Sequence, residues 1–202
     1  MSRSMTTPNF EGQRALILHR PHPVVDAIAR QLVQLGVAFE AVWPDLPQGT
    51  AEGSFDLLFY DADMGHDGQF PWREGETPVP AVALIGSEAP GRLAWAIRRG
   101  ADAHLLKPIG SGGVFSALVI ARQAFDSRAE RGRELADLRD RLADRQVLAE
   151  ATACLMVQGN IPADLAFAKL RRDAMTERLT LEAMAQRVVE RLRNGHVRNH
   201  SA

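Results

Sequence analysis

The strongest constraint on this chain is an alternation in its first half: short, almost continuously apolar segments separated by longer polar ones. The apolar segments are 15–18, 37–43, 55–60, 79–85 and 103–106. Strands that are apolar throughout are buried on both faces, and strands spaced by crossovers predict a parallel sheet layered between helices. The right-handed crossover rule then selects an α/β fold with a doubly wound, five-stranded, flavodoxin-like sheet. Pro21 and Pro23 close the first segment, and Val24, Val25, Ile28, Leu32 and Leu35 follow at helical spacing up to Gly36. Pro44 stops the second segment, residues 93–99 read as a helix ended by Gly100, and Pro108 follows the fifth strand. Residues 44–54 and 62–78 are rich in Pro, Gly and acids and lack a helical period. One or both of those crossover helices are expected to be shortened or lost.

The second half reads as helices. Gly110-Ser111 offers a start with Ser111 as N-cap, and no proline interrupts the chain from there to about Gln158. Val114, Leu118, Ala121 and Phe125 should face the sheet. Leu135, Leu138, Leu142 and Ala149 then continue a 3–4 seam flanked by charges of both signs, as in an exposed coiled coil. The seam implies a homodimer; the alternative is a long helix folded back on its own domain. Three C-terminal helices follow from punctuation. The first carries Val147, Ala151, Cys154 and Leu155 and ends at Gly159-Asn160. The second opens with Pro162 and runs through Leu165, Ala166, Leu170 and Ala174. The third starts at Thr180, presents Leu181, Met184, Ala185, Val188 and Leu192, and stops at Gly195. The expected organisation is an α/β domain over 1–120, a coiled-coil helix over 121–146 and an all-α three-helix module over 147–202.

Composition bounds the function. With 202 residues, 46% hydrophobic and 24% charged, the chain suits one ordinary domain plus a small module and is not mainly disordered. No apolar run approaches the ~18–20 residues of a membrane span, and residues 1–13 have no apolar signal-peptide core, so a cytoplasmic protein without a membrane partner is expected. The one cysteine, Cys154, excludes an internal disulfide and a cysteine-based zinc site. Residues 1–120 carry nine Lys and Arg against thirteen Asp and Glu, whereas 121–202 carry fifteen against twelve. Such asymmetry marks either a nucleic-acid-facing end or merely solvated helix faces.

Ligand and switch chemistry in an open parallel sheet sits beyond the carboxyl ends of its strands. Those ends read His19-Arg20, Asp61-Ala62-Asp63, Ile85-Gly86-Ser87 and Lys107-Pro108. Asp56-Leu57-Leu58-Phe59-Tyr60-Asp61 with Met64, and Gly100-Ala101-Asp102-Ala103-His104-Leu105-Leu106-Lys107-Pro108, resemble a response-regulator receiver domain. The resemblance puts Asp61 at that family's phosphoacceptor position and Lys107 at its invariant lysine. The family's acidic pair, which holds magnesium, is replaced by His19-Arg20, and a hard dication wants oxygen ligands. Ile85 stands at the Ser/Thr switch position, with Ser87 two residues on. A pseudo-receiver is the expectation, with Asp61 an inactive phosphoacceptor position that pairs with Lys107 across the sheet edge. The alternative is a phosphorylation-dependent two-component response regulator in which Asp61 accepts phosphate. Asp61, Asp63 and Asp67 do not make a calcium loop, because Gly65 and His66 fall on the wrong positions. His196 and His200 stand four apart with no third ligand in view. No metal, cofactor or catalytic constellation is expected, so the reading is of a non-enzyme.

Ala151-Thr152-Ala153-Cys154-Leu155-Met156, Ala166-Phe167-Ala168-Lys169-Leu170-Arg171-Arg172-Asp173-Ala174-Met175 and Thr180-Leu181-Glu182-Ala183-Met184-Ala185 resemble an ANTAR domain. That domain is the RNA-binding module of AmiR/NasR-type transcription antitermination regulators, and the likeness spans 147–192 without a gap. Many members carry Lys-Gly where this chain has Thr152-Ala153. A degenerate receiver, a coiled coil and an ANTAR module together resemble the AmiR type. The resemblance implies an antiterminator that binds leader-RNA hairpins as a dimer, preventing terminator formation, under control of a ligand-sensing partner protein. It also implies RNA contacts by Lys169, Arg171, Arg172, Arg178 and Arg187, with Ala151 and Met175. Phe167, the only aromatic residue after Phe125, reads as core, which leaves stacking on bases to arginine. A DNA-binding regulator is a further alternative.

Overall fold

The computed structural model describes residues 8–46 and 53–198, with 192–198 as backbone alone. The chain divides into two compact units, 1–130 and 131–202.

In the first unit, strands β1 (Arg14–Leu18), β2 (Ala38–Val42), β3 (Leu57–Asp61), β4 (Ala81–Ile85) and β5 (Ala103–Leu106) form one sheet in the order β2-β1-β3-β4-β5. Every pairing is parallel. This is the flavodoxin-like doubly wound order, with its switch point between β1 and β3.

Strand side chains sort to alternate faces with period two, so β1, β3 and β4 each feed two cores. Ala15, Ile17, Leu57, Phe59, Val82 and Leu84 pack under helix α1 (Pro23–Gln34) and the start of helix α3 (Val114–Gly159), meeting Val24, Ile28, Leu32, Val114, Leu118 and Ala121. Leu16, Leu18, Leu58, Tyr60, Ala81, Ala83 and Ile85 face the other way, toward helix α2 (Pro90–Arg98) with Trp95 and Ala96. Fully buried side chains such as Ile17, Phe59 and Leu118 each contribute about 2–3 kcal/mol of transfer free energy. Phe125, expected on the sheet, is only half-buried, with the Arg128 guanidinium 5.3 Å from its ring centroid.

The crossover from β3 to β4 has lost its helix, as its composition foretold, and keeps one 3-10 turn at Asp67–Gln69. Aromatic side chains fill the space instead. Tyr60 meets Phe70 and Trp95 edge-on, with ring centroids 5.4 and 5.9 Å apart. Arg99 lies over the Phe70 ring at 4.6 Å, and the Trp95 indole N–H donates to Asp67 Oδ1 at 2.8 Å. Burial pushes the Tyr60 hydroxyl well above the usual phenol range, and it stays a donor to the Ala96 carbonyl.

Several element ends differ from expectation. Helix α3 begins at Val114, not beside Ser111, because Gly113 takes φ +103° and the first amide is capped from outside. Buried Gln31 of α1 accepts from the Val114 N–H at 3.1 Å and donates to the Gly110 carbonyl at 3.0 Å. A cap from a residue 83 positions away leaves no local sequence signal.

In the second unit the rest of α3 is followed by α4 (Ala163–Glu177) and α5 (Leu181–Arg198). Pro162 is the N-cap of α4 and not its first helical residue. Thr180 caps α5 as expected, its Oγ1 accepting from the Ala183 N–H at 3.2 Å. Gly195 does not stop α5, which continues to Arg198. A glycine inside a helix costs only ~1 kcal/mol, too little to break one already propagating. The core joins Ala151 and Leu155 of α3, Ala166, Leu170 and Ala174 of α4, and Met184, Ala185, Val188 and Val189 of α5. Leu165, expected on the inner face of α4, is exposed.

Candidate functional site

Two clusters of charge stand out, one at the carboxyl edge of the sheet and one on α4. At the sheet edge, β1 delivers His19, β3 delivers Asp61, the next loop Asp63, β4 the Gly86 and Ser87 amides, and β5 Lys107. Asp61 and His19 are each only 3% exposed. Lys107 Nζ lies 2.8 Å from Asp61 Oδ1, 2.7 Å from Asp63 Oδ2 and 3.4 Å from His19 Nε2. His19 Nδ1 is 2.7 Å from the Arg20 carbonyl, which can only accept, so Nδ1 carries the proton and Nε2 offers its lone pair. All three ammonium hydrogens of Lys107 therefore have an acceptor.

The carboxylates take the neighbouring donors, except at Asp61 Oδ2. Asp61 Oδ1 accepts from the Asp63 N–H at 3.0 Å as well as from Lys107, while Oδ2 faces His19 Nε2 at 3.2 Å. Burial pulls the His19 pKa below its ordinary 6.5, against the opposing pull of the Arg20 carbonyl and Asp61. Asp63 accepts from the Gly86 and Ser87 amides at 2.8 and 3.1 Å. Burial works to raise its carboxyl, but the hydrogen bonds from Lys107, Ser87 and Gly86 outweigh that and hold it below the usual range. Position 86 must be glycine for this reach, since a Cβ there would stand 2.7 Å from Asp63 Oδ2.

The pairing of Asp61 with Lys107 was legible in the sequence. That His19 closes the pocket, and that Asp63 is a second acceptor for Lys107, was not. Arg20 points out to solvent, so the carboxyl end of β1 brings one buried imidazole and no carboxylate. Among the described residues no group of His, Cys, Asp or Glu is arranged to hold a metal ion. The side chains of His196 and His200 lie outside the described residues. Chemically, the cluster ties the ends of β1, β3, β4 and β5 together.

The second cluster is on α4. Asp164, Phe167, Ala168, Arg171, Arg172, Met175 and Thr176 line a shallow groove of about 550 Å³ along one side of the helix. The spacing explains it: Ala166, Leu170 and Ala174 take the inner face, and Phe167, Arg171 and Met175 follow one step around. Phe167 is 42% exposed and is not a core residue, because it stands one step around the helix from the face that Ala166, Leu170 and Ala174 bury. Met175 is 73% exposed.

The other residues singled out from the sequence fall elsewhere. Ala151 is fully enclosed in the helical core. Lys169 pairs with Asp173 at 3.1 Å, and Arg187 hydrogen-bonds Glu177. Arg178 ends α4 in the left-handed conformation at φ 55°, with its side chain exposed. Arg171 and Arg172 have no ion-pair partner among the described residues. Thr152, at the position where many members have lysine, turns its hydroxyl back onto the Leu148 carbonyl at 2.7 Å. Leu135, Leu138 and Leu142 are all more than half exposed.

A parallel sheet of this order, with an acid at the end of β3 and a lysine after β5, defines a receiver-like domain, here continued by a helical module. Residues 13–122 match the family described as AmiR, N-terminal, and residues 136–189 match the ANTAR domain. The chain belongs to the AmiR N-terminal family and has the make-up of a transcription antitermination regulator. It is 26% identical over 192 residues to the aliphatic amidase regulator of Pseudomonas aeruginosa, an alignment covering 94% of this chain and 97% of that one. Among solved structures it is similar to ShkA Rec1 in complex with c-di-GMP, at 22% identity, TM-score 0.40, 57% of this chain and 94% of that one. It is also similar to full-length FixJ from B. japonicum, at 16% identity, TM-score 0.43, 89% of this chain and 98% of that one. No helix among the described residues is long and apolar enough to cross a membrane.

Proposed function

We propose that this regulator is an RNA-binding antiterminator that grips leader-transcript hairpins with its C-terminal helices, so that a terminator does not form. The observation that carries the reading is the pair of unpartnered arginines, Arg171 and Arg172, exposed on α4 within the ANTAR match. Arg178 at the end of α4 and Arg191 on α5 add exposed cations, whereas Lys169 and Arg187 are partly neutralised by Asp173 and Glu177. Hairpin loops suit such a surface, since their phosphates attract the guanidinium groups and their bases are open to contact.

The working form is a dimer joined along Leu135, Leu138 and Leu142, whose exposure in one copy leaves an apolar seam for a second. Leu138→Asp should convert the dimer to monomer in sedimentation velocity; an unchanged coefficient would remove this seam from the assembly. Control comes from a partner protein that senses a small ligand and holds the regulator until that ligand arrives. Phosphorylation is disfavoured, because Asp61 is buried, its Oδ1 is engaged by Lys107 and the Asp63 amide, and the end of β1 brings no carboxylate. Incubation with a small phosphodonor and magnesium should leave the intact mass unchanged. An adduct that disappears in Asp61→Asn would establish the phosphorylation-dependent reading instead.

The central test is titration of the full-length protein with a two-hairpin leader RNA, with Arg171→Ala/Arg172→Ala alongside. Saturable binding weakened by the double substitution is expected. Preference for duplex DNA at the same salt concentration would move the protein to the DNA-binding regulators.

A further inference from the structure

Position 167 is an exposed aromatic ring where a packed one was expected, and the residues around it suggest a use for it. The ring has no aromatic neighbour among the described residues. It sits in the α4 groove with Asp164 and Ala168 toward one end and Arg171, Arg172, Met175 and Thr176 toward the other. We propose that Phe167 is a stacking platform for one unpaired base of a hairpin loop, with Arg171 and Arg172 holding the flanking phosphates. The proposal rests on the RNA-binding reading above and adds to it the residue that receives a base.

Charge and shape select the occupant. Burying the exposed part of the Phe167 ring would be favourable by about 1 kcal/mol, so a sequence that leaves it partly in water beside a 73% exposed methionine forgoes that stabilisation. An apolar protein segment would fit the ring and Met175 but would leave two unpaired guanidinium groups at its edge. A loop nucleotide offers both requirements on one residue: a flat π-face for the ring and an anionic phosphate for the cations. The alanine at 168 keeps the groove open beside the ring. Asp164 fixes the direction. Its carboxylate repels phosphate from the N-terminal end of the groove, so the sugar–phosphate chain runs along the arginine end while the base lies over Phe167. The C-terminal unit has no other Phe, Tyr or Trp, so this platform accepts a single base.

The test uses full-length protein and a probe RNA enriched by the wild-type protein from two-hairpin RNAs with randomised loops. The probe is then remade with 2-aminopurine, and separately with an abasic residue, at each loop position in turn. One position should show 2-aminopurine quenching on binding, and an abasic residue there should weaken binding about tenfold or more. Phe167→Ala should weaken binding by a similar factor, abolish that quenching and add nothing further on the abasic probe. Phe167→Trp should restore both affinity and quenching, which separates stacking from any effect on folding. Wild-type affinity and quenching in Phe167→Ala, with binding lost in Arg171→Ala/Arg172→Ala, would overturn the platform and leave RNA binding standing. A Phe167→Ala loss that is equal on every abasic probe would likewise overturn it. Failure to enrich any RNA would overturn the RNA-binding reading itself and the platform with it.

Discussion

The two units hold their charges in opposite circumstances. At the edge of the sheet, Asp61, Asp63, His19 and Lys107 are drawn together, and each donor hydrogen of the lysine meets an acceptor. On α4, Arg171 and Arg172 stand in water with no partner among the described residues, next to an exposed aromatic ring. The same residue types therefore serve different ends. Charges satisfied inside a fold bind its segments together and are unavailable to a ligand, whereas charges left unsatisfied outside are available to one. In this chain the position that resembles a signalling site is enclosed and paired, and the surface helix carries the proposed site.

That contrast can be broken experimentally, most forcefully at Lys107. Lys107→Met leaves buried Asp61 facing His19 without its cation, and breaking a buried pair in this way costs about 3 kcal/mol. Urea denaturation should show it; a loss below about 1 kcal/mol would mean the cluster does not hold the strand ends. Arg171→Ala/Arg172→Ala should do the reverse. Folding stability should change by less than about 0.5 kcal/mol, while RNA affinity falls on the order of tenfold to a hundredfold. The salt slope of binding should fall by about 1.4 if each arginine neutralises one single-strand phosphate. An unchanged slope would show that neither contacts the backbone.

The next effect is a pH dependence. Asp102 precedes β5, accepts from the Ala81 N–H at 3.1 Å and pairs with Arg128 at 2.8 Å. Burial raises its carboxyl from 3.8 to about 6, against the pull of the Ala81 amide and Arg128. The folded state thus binds this proton more tightly than the unfolded chain does. Stability from this group is full below pH 4 and declines as the pH rises toward 6, by an amount on the order of 1–2 kcal/mol. His19 acts with the opposite sign, because its lowered pKa makes the folded state lose stability as the pH falls below 6.5. The clean readout is the difference in stability between wild type and Asp102→Asn, followed from pH 4 to 7; a difference independent of pH would rule out the raised carboxyl. The smallest effect belongs to Lys169→Gln, which removes an exposed i,i+4 pair with Asp173 worth about 0.3 kcal/mol. If it weakens RNA binding as much as the arginine pair does, the unpaired-cation argument fails.

How much was legible depended on whether the signal was local. The five strands, the helix spacing of α1, the missing helix before β4, the Thr180 cap and the uninterrupted length of α3 all lie in neighbouring residues. Apolar runs, Pro and Gly punctuation and periodicity are short-range patterns, so they were readable one segment at a time. The start of α3 was misplaced because its cap comes from Gln31, and Gly195 was overrated as a stop because helix propagation outweighs one glycine. Phe167 reads as core in the sequence but is exposed in the structure. A count of the inner positions on α4 would have found it, since Ala166, Leu170 and Ala174 already occupy that face.

The sequence by itself determined the alternation of strand and helix, and hence the doubly wound sheet, because strand burial is written into the apolar runs. That burial holds on both faces for inner β1, β3 and β4, whereas β2 and β5 are partly exposed at the sheet edges. The sequence also determined the missing carboxylates at the end of β1. Only the tertiary structure decided what fills their place. His19, Asp61, Asp63 and Lys107 come from four separate segments, and which of them touch depends on sheet order and register. The same holds for α4: its sequence supplies an aromatic ring and two arginines, but packing of the inner face decides which side of the helix meets the solvent.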